Sequence, residues 1–243
     1  MATSGTYVFD ATTDQIITSA FRIINVLSEE QVLADLPTPA QTNARFKLNT
    51  IIKMLEADGM PLWALAELSI PYSLFVNNTV NIGPSLGVNT TAIPLKLLQA
   101  VSYDSSNSNS LSMTILPQYD YTELSTSNST TGTPVNVYYR PLNGTGQLNV
   151  WPAPTGAIKG SGRIVITYQR TQQDAGISSD TLDFPTYWIE CIISCLAWRL
   201  APEYGVPVSE RSMLKQDYDF LHNQALGFGT EEGSFKFQPE WTR

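Results

Sequence analysis

The residues able to do chemistry are few and scattered. There is one histidine, His222, set among polar neighbours in a stretch with helical spacing, where a solvated or core-edge role suits it better than catalysis. A Ser-His-Asp arrangement would have to use it, yet no Gly-x-Ser-x-Gly elbow supplies an activated serine. Cys191 and Cys195 lie one helical turn apart and could offer thiolates, but structural zinc needs four ligands and only His222 could add another soft donor. The same spacing projects the two thiols in nearly parallel directions, which disfavours a disulfide, so buried free thiols and folding in a reducing compartment are expected. Asp180, Asp183, Glu190 and Glu203 flank one apolar stretch, and a glycosidase needs only two carboxyls facing across a cleft. Capping accounts for Asp183, and Glu190 could pair with a neighbouring helix. Tyr138, Tyr139 and Trp151 could form a sugar-stacking platform, with ordinary sheet packing as the competing reading. Glycine-rich phosphate cradles are absent from the sequence. No catalytic, metal or cofactor site is therefore assigned.

The elements that would position these groups start with the stretch from Phe184 to Gly205, the most hydrophobic in the chain. It reads as a buried helix over Phe184 to Ala201, capped by Asp183, with Pro185 in its first turn and Pro202 ending it. Trp188, Ile192, Leu196 and Leu200 are its expected core residues, with a thin polar strip at Thr186, Glu190 and Ser194. That strip could mark where one helical body meets another.

Thr12 and Gln15 form a capping-box pattern, and Ile16, Ala20, Ile23, Ile24 and Leu27 follow at helical spacing, which predicts a helix from Thr13 to Leu27. The acidic stretch from Ser28 to Leu36 reads as a connector. Thr38, Pro39 and Gln41 predict a second capped helix to Asp58, carrying Ala44, Leu48, Ile51, Ile52 and Leu55 on one face and stopped by Gly59 and Pro61. A last helix runs from Ser209 to Leu226 with Leu214, Tyr218, Leu221 and Ala225 inward, closed by Gly227 and Gly229.

From Leu62 to Arg170 the period changes to that of strands. Tyr72 to Val76 and Thr79 to Ile82 flank Asn77-Asn78, and Val135 to Arg140 and Gln147 to Trp151 flank Asn143-Gly144, so both pairs read as hairpins. Leu95 to Val101 reads as a strand after Pro94, and Arg163 to Gln169 alternates Ile164, Ile166 and Tyr168 with other residues. Ser105 to Ser110 and Ser125 to Thr133 are Ser, Thr, Asn and Gly rich and should be exposed loops. The fold class expected is α+β: an antiparallel bundle of about four helices with a β-rich insertion and an extended C-terminal tail. The helical core takes 1–61 with 180–229, the insert 62–170 and the tail 230–243. In that tail Phe235 and Phe237 alternate, as in an extended segment with one face to be covered.

The formal net charge is -8, with 14 Lys plus Arg against 22 Asp plus Glu, which argues against a surface that grips nucleic acid. Met1 to Thr6 shows no signal-peptide pattern, and no run has transmembrane length. Sequons such as Asn128 and Asn143 are explained by turn chemistry.

Several segments, in order, resemble one family. They are Ile16 to Leu27, Leu48-Asn49-Thr50-Ile51-Ile52-Lys53 with Leu62-Trp63, Pro134 to Tyr139, Leu148 to Pro154, Ile166 to Arg170, and Phe184-Pro185 leading to Leu200-Ala201-Pro202-Glu203-Tyr204-Gly205. Together they resemble the head-to-tail adaptor, or tail accessory factor, family of short-tailed bacteriophages, also described as packaged-DNA stabilisation proteins. The resemblance implies a structural protein with no active site and no cofactor. Its copies, about twelve, would assemble as a ring under the portal protein in the virion neck, after synthesis in the host cytoplasm. The ring would continue the DNA channel without sequence-specific binding and offer a platform to the downstream nozzle or tail-fibre protein. The resemblance also implies a C-terminal arm that holds the portal, with Phe235, Phe237, Pro239, Trp241 and Arg243 as its contacts. An acidic ring suits a channel through which DNA must slide. Competing readings are a carbohydrate-binding or hydrolytic tail component using Tyr138, Tyr139, Trp151, Asp180 and Glu190, and a domain that self-assembles for unrelated reasons.

Overall fold

A computed structural model describes residues 9–58, 62–84, 87–88, 90, 92–104, 109–124 and 130–228. In chain order it contains α1 (Thr13–Ile23), α2 (Thr38–Asp58), β1 (Leu65–Pro71), β2 (Thr79–Ile82), β3 (Pro94–Tyr103), β4 (Ser110–Ser112), β5 (Thr114–Ile115) and α3 (Gln118–Glu123). There follow β6 (Thr131–Gly132), β7 (Asn136–Leu142), β8 (Thr145–Trp151), β9 (Ala153–Pro154), α4 (Gly156–Ser161), β10 (Arg163–Arg170), α5 (Thr186–Leu200) and α6 (Val208–Phe228). The protein is α+β, and its chain divides into two compact units, one of residues up to Trp63 and from Gln173 onward, the other Ala64–Gln172.

The first unit is helical, and its helices start and stop for identifiable reasons. At α1 the capping box forms: the Gln15 amide donates to the Thr12 hydroxyl oxygen at 3.3 Å, and the Thr12 amide donates to the Gln15 side-chain oxygen at 2.9 Å. The helix ends at Ile23 rather than Leu27, because Asn25 takes a φ of 57° and the Val26 amide turns back to the Phe21 carbonyl at 3.0 Å. Ile24 and Leu27 remain buried past the end, which is why they extended the helical signal. The connector after it holds a short 3-10 turn, Leu33–Asp35, whose Asp35 carboxylate accepts from the Val32 amide at 2.8 Å. In α2, Thr38 is not the cap. The amides of Ala40 and Gln41 donate to the Pro37 carbonyl at 2.9 and 3.2 Å, placing Thr38 inside the first turn, and the Gln41 side chain donates to the Leu36 carbonyl at 2.7 Å. The stops at Gly59 and Pro61 lie outside the described residues.

Asp183 likewise does not cap α5; its carboxylate accepts from the Gln173 amide at 3.4 Å, and Pro185 itself occupies the cap position, accepting from the Trp188 amide at 2.9 Å. A chain of turns ends the helix at Pro202, and Gly205 follows with φ 73°. Gly227 does not close α6, which continues through it to Phe228, and Gly229 lies outside the described residues. Trp188, Ile192, Leu196 and Leu200 are all buried, and α1, α2 and α6 each pack against α5 around them. Polar ties hold the surface of this core. Glu203 accepts from Lys47 at 2.7 Å and from Asn43 at 2.6 Å, and the Lys47 hydrogen bond holds its carboxyl below the usual carboxylate range. The Asn49 side chain exchanges two hydrogen bonds with the Ala175 backbone, at 2.8 and 3.2 Å.

The second unit is built from two four-stranded sheets, β1-β10-β3-β4 and β2-β8-β7-β5, whose inner residues form one core. Alternation sets which residues enter it: Ile164, Ile166 and Tyr168 of β10 are buried and their neighbours less so. Of the two expected hairpins, β7–β8 forms, with Gly144 at φ 75° in its turn, while at Asn77, φ 59°, the chain makes a tight turn closed only by the single Val76–Thr79 bridge. The strand expected at Tyr72 to Val76 is instead a 3-10 turn, Tyr72–Leu74, and the strand lies just before it as β1. Tyr72 and Phe75 are aromatic and β-prone, but they fill the core from this turn, and the Tyr72 hydroxyl donates to Ser102 at 2.7 Å. Burial pushes that phenol up to about 12. The helices α3 and α4 carry no amphipathic signal long enough to read from sequence, and Ser110, assigned to a loop, starts β4, while Thr131 and Gly132 form β6. The remaining loop residues 105–108 and 125–129, and the tail 230–243, lie outside the described residues.

Candidate functional site

Each group singled out for chemistry has a structural occupation. His222, half-buried on α6, lies tilted against Tyr218 and edge-on to Trp188, with ring centroids at 5.5 and 5.7 Å. Cys191 and Cys195 are free and buried, and burial pushes their thiols up to about 12 and about 11. Among the described residues no three His, Cys, Asp or Glu side chains come together as a metal site would require. The carboxylates separate as well. Asp180 accepts from the Ile177 amide at 2.8 Å, Glu203 is tied to Lys47, and Glu190 is exposed elsewhere on α5.

The proposed sugar platform is not formed as one surface. Asn136 pairs with Trp151 and Tyr138 with Asn149 across β7 and β8, so Tyr138 and Trp151 share a face while Tyr139 points to the other. Tyr139 is buried in the sheet core and its hydroxyl donates to the Pro94 carbonyl; Tyr138 stacks on Tyr121 at 5.3 Å. Adjacent residues of a strand cannot serve one ligand face, which the sequence spacing alone already implied.

What the helical unit does present is a groove of about 580 Å³ between α1 and α5. Its floor is Ile16 and Ile189, its sides include Ile23 and Ile193, and Phe9 stands 69% exposed at one end. Asp10, Gln15, Ser19, Thr186, Glu190 and Ser194 give it a polar, acidic rim. The polar strip of α5 thus becomes one wall of a concave surface. Sequence periodicity put Ile23 on the inner face of α1 and overlooked Ile17 and Phe21; in the structure Ile17 and Phe21 are fully buried and Ile23 is 43% exposed. Phe21 meets Tyr204 edge-on at 5.4 Å on the buried face of α1, and Ile23, off that face, opens onto the groove. The signal for the two overlooked residues was local, since Ile17, Phe21 and Ile24 recur at i, i+4 and i+7 beside Ile16 and Ala20.

The helical unit thus presents a concave apolar surface with a polar rim. A family model described as SU10 adaptor protein matches residues 62–228, more than half of the chain's 243 residues. The chain belongs to the SU10 adaptor protein family. This is a family of structural phage proteins, not a known enzyme family. No curated protein matches the chain significantly. The family match covers the β unit together with α5 and α6, so one wall of the groove, on α5, lies in the matched region and the other, on α1, outside it. Among the described residues no helix is long and apolar enough to cross a membrane. The arm residues Phe235, Phe237, Pro239, Trp241 and Arg243 lie outside the described residues.

Proposed function

We propose that this SU10-type adaptor is a head-to-tail adaptor of a short-tailed phage virion. It forms a ring beneath the portal, about twelve copies in the first instance, that extends the DNA channel, retains packaged DNA and receives the downstream tail protein. The observation that carries this reading is the adaptor-family match over residues 62–228, joined by an open apolar groove where a catalytic constellation would otherwise be sought. In this reading the working parts are a helical bundle of 1–61 with 180–229, a β-rich insert of 62–170 and an arm of 230–243 that holds the portal through Phe235, Phe237, Pro239, Trp241 and Arg243. Aromatic anchors suit such a role. The negative net charge suits a conduit that must not hold phosphates.

Mixing the protein with portal rings and imaging the product tests the reading. Decorated portal rings are expected, and a protein that stays monomeric and unbound at high concentration overturns it. Deleting Glu231 to Arg243 should leave the fold intact by circular dichroism and weaken portal attachment; unchanged attachment removes the arm from the contact. The carbohydrate reading loses its motivation once Tyr139 faces inward, and a blank glycan array is the expected result.

A further inference from the structure

A ring closed from copies of one chain needs two unlike surfaces on opposite flanks of the subunit, because the contact repeats head to tail around the axis. The helical unit has such a pair. The helix α6 packs on the side of α5 that carries Tyr187, Cys191, Cys195 and Trp198: Trp198 stacks on Tyr218 at 5.9 Å and Tyr187 meets Phe228 at 4.8 Å. The groove uses Ile189 and Ile193 of the same helix. At roughly 100° per residue, Ile189 and Ile193 lie about 160° round from Cys191, so the apolar part of the groove faces away from α6, while Glu190 and Ser194 on its rim lie about 100° and 60° from Cys191.

On α6 itself, Tyr218 and Ala225 face inward. Met213 and Phe220 lie about 140° to 160° away from Tyr218 and about two turns from each other, forming a ridge that faces outward from α5. These two side chains are 64% and 69% exposed, an apolar pair with no covering within the described chain. Ridge and groove therefore look in opposite directions from one helical body.

We propose that the Met213–Phe220 ridge of one copy seats in the α1–α5 groove of the next, and that this heterologous contact builds the ring. The groove's volume, about 580 Å³, is of the size that takes a few large side chains, with an apolar floor and a polar rim for the flanking Gln216 and Gln224 amides. Other apolar side chains of the helical unit are as exposed, among them Phe46 of α2 at 68%, Val208 of α6 at 68% and Phe228 at 76%. Lys47 and Met54 of α2 meet Arg199 of α5, about 120° round from Ile193, which makes Phe46 the competing knob for the cross-linking test. The proposal rests on the ring reading above and names the surfaces that reading leaves open.

Cysteine cross-linking of the full chain separates the two. The native thiols are buried and give no background. A double variant, Ile193→Cys with Phe220→Cys, should give a ladder of covalent multimers on mild oxidation, whereas each single variant should give none. Phe220→Asp should shift assembly, followed by native mass spectrometry, to protein concentrations higher by about tenfold or more. Rings that form without the ladder overturn the contact and leave the ring reading standing. Absence of rings alone and with portal overturns both. Disulfide dimers from either single variant show a like-with-like contact, and a ladder from Ile193→Cys with Phe46→Cys shows a different knob; each overturns the proposal.

Discussion

Cys191 and Cys195 illustrate how little of this protein's reactivity is available at the residue scale. Their burial favours the neutral thiol, so the thiolate that would attack a reagent is absent until pH approaches 11. A chromogenic aromatic disulfide at pH 8 should detect neither thiol in the folded protein and both in denaturant. Reaction of either in the folded state would mean that α5 is not packed as described. Glu203 titrates in the other direction: the Lys47 hydrogen bond lowers its pKa, so the stabilisation it provides is present above the ordinary carboxylate value and is lost as pH falls through the folded one. Because Glu203 sits at the surface, the effect is small and should disappear in Glu203→Gln, read as a flatter dependence of melting temperature on pH below neutrality. These residue types were legible in the sequence. Their partners were not, since Lys47 and Asn43 lie far from Glu203 along the chain.

At the scale of elements, helix starts and turns were readable where the signal is local. The Thr12–Gln15 box is closed by side chains within one turn, and Thr12→Ala should cost about 1 kcal/mol in urea denaturation. A loss near zero would show that the box does not hold α1. The Thr38 and Asp183 caps failed because a better or different partner was nearby: the Pro37 carbonyl takes the first amides of α2, and Asp183 is turned to Gln173. In the β unit, Gly146 has no special φ yet cannot be replaced freely, because a Cβ there would come within 2.7 Å of the Tyr139 ring across the hairpin. Gly146→Ala should cost about 1 to 3 kcal/mol, and Tyr139→Phe in the same chain should recover part of it, measured as melting temperature. Additive losses would show that the clash is relieved elsewhere.

For the whole molecule, the fully buried Ile192 sits at the junction of the helical core, where an aspartate would be an unpaired buried charge. Ile192→Asp should abolish folding, seen by circular dichroism, before any partner contact is affected. A folded, ring-forming variant would overturn the placement of α5. In the proposed contact, the charge of -8, with Asp10 and Glu190 at the groove and Asp217 beside the ridge, would make copies repel one another. Raising salt to about 0.5 M should therefore increase the assembled fraction, and a decrease would show that attractive charges hold the ring. The sequence by itself determined the α+β class, the four long helices, the hairpin turns at Asn77 and Gly144, and the absence of a recognisable catalytic motif, because each depends on spacing within a few residues. Only the tertiary structure decided that Tyr72 turns into a core rather than extending a strand, that Tyr139 rather than Tyr138 is the one turned inward, and that the polar strip at Glu190 is the wall of a groove. Those outcomes depend on contacts between segments distant in sequence, such as Tyr72 with Ser102 and Tyr139 with Pro94, and the identity of such a partner leaves no period in the chain.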